Sequence, residues 1–170
     1  MQLSNKGRRF IAIGLLLTIV LAFSGCSKVP FFNSDNKTKE EYQTEATEVA
    51  YIALQRMLAG DYENVKTYVD SENRSKVSDV LAGVDPRLAN DATIVIESVF
   101  TEEKTYDTQV QFRITIAFAK RTTSIMCVMK LARYNGGWRI YNVIPFCSDL
   151  SKLNAMYIDG KSEDEKYEAK

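Results

Sequence analysis

Cys26 is the residue whose type and position point to one specific reaction. Its thiol is a nucleophile that can form a thioether, and the small residues Ser24 and Gly25 directly before it leave room for a modifying enzyme. An uncharged, almost wholly apolar run of 14 residues, 10–23, comes before them, and three basic residues precede that run. This order is typical of a secretory signal peptide, and the run is shorter than the roughly 20 residues that cross a bilayer as a helix. The sequence therefore predicts an exported protein that is cut directly before Cys26.

The segment 21–26 resembles the lipobox of bacterial lipoproteins, in which a small residue precedes the cysteine. The resemblance implies that residues 1–25 are removed as a lipoprotein signal peptide. It also implies that Cys26 carries a diacylglyceryl group, with palmitate among the acyl chains. The protein would then be lipid-anchored at the cell membrane and exposed on its extracytoplasmic side. Phe23 stands where Leu, Val or Ile is usual, and the alternative is an uncleaved signal anchor in which Cys26 has no role.

Composition limits the functions that the mature chain can have. Removing residues 1–25 takes away three basic residues and no acid, so 145 residues remain with a net charge of −3. A nucleic-acid-binding domain is usually clearly basic, which argues against nucleic acid as a partner. The sequence contains no histidine, which excludes His-based catalytic triads and the commonest zinc sites. We expect neither a metal nor a cofactor.

Two further cysteines, Cys127 and Cys147, flank the last predicted hairpin and belong to an oxidising compartment. A tight turn centred on Gly136 places Cys127 opposite about Pro145, with Cys147 one diagonal step away on the same face. A register shift of one residue puts the two thiols on opposite faces. The sequence leaves two alternatives open: a disulfide between Cys127 and Cys147, or two buried thiols that behave as small apolar residues.

A tether at residues 26–39 is predicted to separate the anchor from the folded domain, because its Pro, Asn and Ser residues disfavour regular structure. Thr38 and Glu41 form a capping box at the start of a helix. That helix ends near Gly60, which tolerates a left-handed cap, and Asp61 can cap the next one. Further helices are predicted at 62–69 and 71–82, with one more turn after Asp85-Pro86.

After the helices the hydrophobic period changes to that of β-strands. Strict alternation over 109–116, continued by Phe118, predicts a strand with one buried face. Asn135-Gly136 is the clearest hairpin signal, since both residues accept positive φ. Four consecutive strands are predicted, at 93–100, 109–116, 124–134 and 138–146.

This order of elements indicates an α+β domain, with N-terminal helices packed on a curved antiparallel sheet of about four strands. The step Gly60-Asp61-Tyr62 and the hairpin Gly136-Gly137-Trp138-Arg139-Ile140 resemble those of the nuclear transport factor 2-like superfamily, which has a cystatin-like fold. The resemblance covers residues 40–147 and implies a conical cavity between the first helix and the sheet. Residues 148–170 are then a charged C-terminal tail, with a brief helix that ends near Met156 and a disordered end.

Enzymes of that superfamily usually place a His or an Asp in the cavity as a base. A general base needs a titratable group within reach of the substrate proton, and Glu48 of the first helix is expected on the solvated face. The strand positions that alternate inward are all apolar: Val110, Phe112, Ile114, Ile116 and Phe118. The sequence therefore predicts no catalytic residue.

The same interior offers a second reading, a pocket for an apolar ligand. The residues that would line this pocket are Phe112, Ile114, Met129, Trp138 and Tyr141. Aromatic and methionine side chains at strand spacing also fill cores, so both readings remain. The acidic runs at 102–103 and 163–165 lack the spacing and glycine turn of a calcium site.

The leading hypothesis is a non-enzymatic lipoprotein, attached to the membrane through Cys26, whose domain binds an envelope protein partner or a small ligand. One alternative is an uncleaved, single-span scaffold component of a secretion or conjugation complex. Another is a small cavity enzyme that uses a carboxylate or a tyrosine. The N-terminus of the mature protein separates the first two hypotheses.

Overall fold

A computed structural model describes residues 37–168. The predicted signal peptide, Cys26 and most of the predicted tether lie outside the described residues. Within residues 37–168, no helix is both long enough and apolar enough to cross a membrane.

Helix α1 (Lys39–Leu58) opens the domain where the sequence predicts it. The Thr38 hydroxyl accepts a hydrogen bond from the Glu41 amide at 3.3 Å, and the Glu41 carboxylate accepts one from the Thr38 amide at 2.7 Å, so the capping box is confirmed. Gly60 follows the helix with a φ of +69°, as the predicted left-handed cap requires. One face of α1 is buried, formed by Tyr42, Ala46, Ala50, Ala53, Leu54, Met57 and Leu58.

Short helical segments connect α1 to the first strand. The Asp61 side chain caps the first of them by accepting a hydrogen bond from the Asn64 amide at 3.3 Å. The segments are α2 (Tyr62–Val65) with a 3₁₀ turn at Lys66–Tyr68, a 3₁₀ turn at Ser71–Asn73 leading into α3 (Arg74–Ala82), and α4 (Leu88–Asp91). The helix predicted at 62–69 is therefore α-helical only in its first half, because its last turn tightens into 3₁₀ geometry.

The chain then forms one antiparallel sheet whose strands follow each other in sequence order. The strands are β1 (Ala92–Thr101), β2 (Thr108–Ala117), β3 (Thr122–Tyr134) and β4 (Gly137–Ile140). A bulge between Ile96 and Ser98 interrupts the register of β1 with β2. Asn135 and Gly136 have φ values of 48° and 79°, which confirms the predicted hairpin turn. The predicted fold class, an α+β domain with helices on a curved, unclosed antiparallel sheet of four strands, is confirmed.

The core lies between α1 and the inner face of the sheet. Alternate residues of β2 are at most 2 % exposed, as strand alternation predicts: Val110, Phe112, Ile114 and Ile116. Strand β3 continues this layer in register, with Cys127 opposite Phe112 and Met129 opposite Val110. Phe118 follows the end of β2 and is only half-buried.

The fourth strand is much shorter than the predicted 138–146, because a side chain takes over its pairing. Strand β4 ends at Ile140. Just beyond it, Asn142 Oδ1 accepts a hydrogen bond from the Lys130 amide at 2.8 Å, and Asn142 Nδ2 donates one to the Val128 carbonyl at 2.8 Å. The backbone groups of β3 are satisfied by this amide, and the chain is free to turn into a helix.

The predicted C-terminal tail is wrong over residues 148–168, since residues 143–168 form one long helix, α5 (Val143–Glu168), and residues 169–170 of the prediction lie outside the described residues. Pro145 falls in its first turn, where the missing amide proton costs nothing. The buried residues recur at helical spacing through the segment: Val143, Phe146, Cys147, Leu150, Leu153, Asn154 and Tyr157. The folded domain therefore extends well beyond the predicted boundary at residue 147.

The charged part of α5 is also attached to the sheet. The Asp164 carboxylate accepts a hydrogen bond from the Ala119 amide in the β2–β3 turn at 3.1 Å. Gly160 lies so close to the same turn that an added Cβ would be 2.3 Å from the Phe118 ring. The predicted disorder of this segment is wrong because contacts with a distant turn order it.

Candidate functional site

Four of the five predicted pocket residues belong to the core. Phe112 and Met129 have no solvent-accessible surface, while Ile114 is 2 % and Trp138 8 % exposed. A side chain without accessible surface cannot face a cavity that admits a water molecule, because such a cavity would expose it. These four side chains therefore fill the interior as part of a packed core, which is the alternative to the pocket for an apolar ligand.

Tyr141, the fifth predicted pocket residue, lies on the outside and is 48 % exposed. The prediction fails because Ile140 points inward and strand alternation then turns Tyr141 outward. The Tyr141 amide donates to the Lys130 carbonyl at 3.1 Å. Partial burial, followed by the charges of Asp107 and Glu102, raises the pKa of Tyr141.

Cys127 and Cys147 are free, buried thiols in this structure. Cys127 lies on β3 and Cys147 on α5, so the strand-to-strand register on which the disulfide depends does not exist. Burial raises the pKa of Cys127 to about 12, with a smaller effect of the Asp149 charge, and burial raises the pKa of Cys147 to about 11. Both thiols are protonated at neutral pH and are therefore poor nucleophiles.

We expect iodoacetamide at pH 8 to modify Cys127 and Cys147 only after the protein is unfolded. With a pKa of about 12 in place of the ordinary 9.0, the Cys127 thiolate is roughly a thousandfold rarer, and each side chain is at most 3 % exposed. Alkylation with and without denaturant, followed by peptide mass mapping, measures the difference. Rapid modification of the native protein, or disulfide-linked peptides in an unreduced digest, would contradict the structure.

Polar side chains of α4 and α5 meet in a small cluster where the two helices pass each other. The Tyr157 hydroxyl donates to Asp91 Oδ2 at 2.8 Å, and Lys161 Nζ lies 2.8 Å from the same oxygen. Lys161 first and Tyr157 second lower the pKa of Asp91, while burial and then the hydrogen bond to Asp91 raise the pKa of Tyr157. A tyrosine that holds its proton this firmly acts as a donor and not as a base, so the cluster is a structural attachment.

Asn154 makes a second attachment between α5 and the same region. Its Nδ2 donates to the Gly83 carbonyl at 2.9 Å, and its Oδ1 accepts from the Asp85 amide at 2.9 Å. Asn154 is only 8 % exposed, and both halves of its amide have partners, as burial requires. Sequence reasoning missed both attachments because they join residues 66 to 71 positions apart.

Asp91→Asn should flatten the acid side of the stability profile. Because the fold lowers the pKa of Asp91 below its ordinary 3.8, the charged carboxylate stabilises the protein above about pH 4, and this contribution is lost as the pH falls through the lowered value. The side chain is 36 % exposed, so the loss at pH 7 should stay below about 1 kcal/mol. Urea unfolding at pH 7 and pH 3 should show a larger acid loss in the wild type, and equal losses would contradict the assignment.

Aromatic side chains collect at the end of the domain where the described chain begins. We call this the tether end, formed by the N-terminus of α1, the β1–β2 loop at 102–107, the β3–β4 turn at 134–137 and the row of the sheet next to them. The register places Phe100 and Tyr141 in that row, at the two ends of the pairs Phe100–Gln109, Gln109–Lys130 and Lys130–Tyr141. Tyr42 of α1 stacks on Tyr106 with ring centroids 4.3 Å apart, and Trp138 meets Tyr42 edge-on at 6.5 Å. These contacts hold the start of α1 against this end of the sheet.

Arg133 covers the buried aromatic rings. Its guanidinium carbon lies 5.0 Å from the Tyr42 ring centroid and 6.0 Å from that of Trp138. Nη2 donates to the Gly136 carbonyl at 3.4 Å, whereas Nη1 is buried and makes no hydrogen bond. Stacking of the guanidinium cation on the ring faces explains how Nη1 can be buried without a hydrogen bond. Since the rings enclose this nitrogen, Arg133 packs the tether end and does not form an open anion site.

A second exposed surface is the outer face, formed by the outward side chains in the middle of β1, β2 and β3, away from the tether end. Val95 and Met126 are each 45 % exposed there, and Arg113 lies between them in register with both. Arg113 Nε is 2.7 Å from Glu97 Oε1 at the bulge of β1. The outer face therefore combines exposed apolar side chains with an oriented guanidinium.

Two further expectations concern charged residues. Glu48 is exposed on α1, as predicted. Within the described range, no group of three or more Cys, Asp or Glu side chains is arranged to hold a metal ion.

Compared with protein-family models, curated proteins and solved structures, the chain matches none. The tether end and the outer face both expose large apolar side chains that a partner could cover.

Proposed function

We propose that this chain is a bacterial lipoprotein held at the cell membrane by a lipid on Cys26. Its α+β domain is displayed on the extracytoplasmic side, where it binds a partner protein and catalyses no reaction. The observation that carries the proposal is the order of residues up to Cys26: a basic start, a 14-residue apolar run and small residues before the cysteine. Cys26 is the attachment point for a diacylglyceryl group, with palmitate among the acyl chains.

The state of the reactive groups in the domain supports a binding role. A histidine-free enzyme would rely on thiols, tyrosines or carboxylates as nucleophiles and bases. The raised pKa values of Cys127 and Cys147 keep both thiols protonated, and the Tyr157 hydroxyl is engaged as a donor to Asp91. The protonated thiols pack in the core, and the Tyr157 hydroxyl joins α5 to α4, so these groups have structural roles.

The distribution of apolar side chains favours a protein partner over a small ligand. The interior residues expected to hold a ligand are packed against one another, whereas Val95 and Met126 of the outer face are open to solvent on either side of Arg113. Met and Arg are enriched in protein–protein interfaces. The outer face is therefore the surface on which we place the partner.

Metabolic labelling with a fatty-acid analogue tests the anchor. The wild type should take up the label and Cys26→Ala should not. Cys127→Ala is the matched control, because it removes a cysteine of the described domain and should leave labelling unchanged. Equal labelling of wild type and Cys26→Ala would reject the lipid attachment.

A second candidate is an uncleaved, single-span scaffold component of a secretion or conjugation complex. It is favoured by Phe23, which departs from the usual lipobox residue at its position. The mass of the intact purified protein decides between the two. A chain that begins at lipid-modified Cys26 supports the lipoprotein, and a chain that retains residues 1–25 supports the scaffold.

A further inference from the structure

We propose that the tether end of the domain rests on the lipid headgroups, so that the partner of this surface is the bilayer itself. This inference deepens the proposed function and rests on it, because the lipid on Cys26 holds the bilayer nearby. The juxtaposition that carries it is the start of the described chain, 11 positions after Cys26, at the same end of the domain as the exposed rings of Phe100, Tyr134 and Tyr141.

The start of the described chain is fixed to the tether end by several contacts. Thr38 caps α1, and Lys39 Nζ lies 3.4 Å from Glu103 Oε1 in the β1–β2 loop. One turn further along α1, Tyr42 stacks on Tyr106 of the same loop. The described chain therefore begins at this end of the domain and not at the end where α5 meets the β2–β3 turn.

The tether is short compared with the domain. Lys37 follows Cys26 by only 11 positions. Eleven residues reach at most about 40 Å even when fully extended. A domain of about 130 residues has a radius of gyration of about 14 Å. The anchor thus keeps the bilayer beside the tether end at an effective concentration in the millimolar range, where weak contacts are sufficient.

The side chains exposed at the tether end have the chemistry of a membrane interface. Phe100 is 63 %, Tyr134 62 % and Tyr141 48 % exposed. Tyrosine rings favour the boundary between acyl chains and water, because the ring is apolar while the hydroxyl stays hydrated. Three large, exposed rings in one region are costly in water and become favourable against lipid.

The opposite end of the domain has a different surface. Its aromatic rings are covered, since Tyr157 has no accessible surface and Phe118 is half-buried. Its surface carries ion pairs, such as Arg121 with Glu163 at 3.4 Å. This end exposes Ile158, at 48 %, but none of the large exposed aromatic rings of the described residues, and all three of those lie at the tether end. At the tether end, Lys39 pairs with Glu103, so neither sign dominates that contact.

Tyr and Trp are also enriched in protein interfaces, so a protein is the alternative occupant of the same rings. The bilayer is favoured because the anchor holds it beside the tether end at all times. A protein partner at this end is an outcome that the following experiment would reveal.

Hydroxyl-radical footprinting reads side-chain exposure residue by residue. The lipidated full protein is reconstituted in phosphatidylcholine vesicles and compared with the mature-length chain carrying Cys26→Ala in solution. Oxidation of Phe100, Tyr134 and Tyr141 is measured relative to Met126, which is 45 % exposed on the outer face of the same molecule. If lipid covers the tether end three quarters of the time, relative oxidation of these rings falls about fourfold.

Exposed substitutions test whether the rings cause the contact. Phe100→Ser combined with Tyr134→Ser should abolish the protection of Tyr141, although the lipid still holds the protein on the vesicle. Met126→Ser is the matched control and should leave the protection of Tyr141 unchanged. Because all three changed side chains are exposed, the fold should be preserved, and urea unfolding checks this.

Unchanged oxidation ratios in protein that sediments with vesicles would overturn the contact while leaving the lipid anchor standing. Sedimentation that does not depend on Cys26 would instead overturn the anchor and the inference together. Protection that appears only in native membranes and not in pure vesicles would assign the tether end to a protein, and would also overturn the lipid contact.

Discussion

Phe112→Ala is expected to lower the free energy of unfolding by about 3–5 kcal/mol. The ring has no accessible surface, and Phe112 pairs with Ile96 on β1 and with Cys127 on β3. Removing it leaves a cavity that the neighbouring strands cannot close, because ladders on both sides hold them in place. Since small domains are stable by only about 5–15 kcal/mol, the variant should lose a large share of its stability.

Urea unfolding followed by circular dichroism measures this loss. Met126→Ala is the matched control: it changes an exposed side chain on the neighbouring strand and should alter stability by no more than about 0.5 kcal/mol. The comparison of the two variants also distinguishes a packed core from an open pocket around Phe112. If Phe112 lined an open cavity, its truncation would cost little more than that of Met126. A loss of stability below about 1 kcal/mol for Phe112→Ala would therefore contradict the packed core and support the pocket.

Gly60→Ala is expected to lower stability by about 2–3 kcal/mol, for two independent reasons. At a φ of +69°, any residue with a Cβ is strained by about 1–2 kcal/mol. In addition, the new Cβ would lie 2.9 Å from the Leu81 carbonyl oxygen, closer than these atoms can approach. The oxygen belongs to the backbone of α3, so relief requires α1 and α3 to move apart.

Gly83→Ala provides the control for this substitution. Gly83 has a φ of −90°, and a Cβ there would be 3.5 Å from the nearest atom, the Val80 carbonyl oxygen. This backbone geometry accepts alanine, so stability should change little or rise by up to about 1 kcal/mol. The urea midpoint should fall clearly for Gly60→Ala and should change little for Gly83→Ala. Equal destabilisation of both would contradict the left-handed geometry at Gly60.

These two substitutions concern the scaffold, whereas the proposed activities lie on its surfaces. Val95, Met126, Tyr134 and Phe100 are between 45 % and 63 % exposed. Exposed substitutions of this kind usually change stability by less than about 0.5 kcal/mol. Variants of the outer face and of the tether end should therefore report on binding alone, and a loss of partner or membrane contact in them is not explained by unfolding.

Much of the fold follows from local patterns in the sequence. The capping box of Thr38 and Glu41, the left-handed residue at Gly60 and the turn at Asn135-Gly136 are each set by a few neighbouring residues. The alternation along β2 likewise predicts which of its side chains are buried. Such features depend on steric and hydrogen-bonding rules that act within one turn or one strand.

The segment after β4 shows where local patterns fail. Read alone, 138–146 continues as a strand, because apolar residues are frequent in it and Pro145 stands near its end. In the structure, Asn142 binds the backbone of Val128 and Lys130, which ends the strand and starts α5. That amide can act in this way only because β3 lies beside it, and no rule confined to the segment contains this information.

By itself, the sequence determined the α+β class, the start of α1 and the hairpin turn, because local geometry sets all three. The prediction of a lipid anchor at Cys26 also rests on sequence alone. Only the tertiary structure decided that the apolar interior is a packed core and that α5 belongs to the domain. It also decided that Tyr141 faces outward among the aromatic residues of the tether end. These outcomes depend on contacts between residues far apart in the chain, such as Tyr157 with Asp91, whose energies arise only when the elements pack.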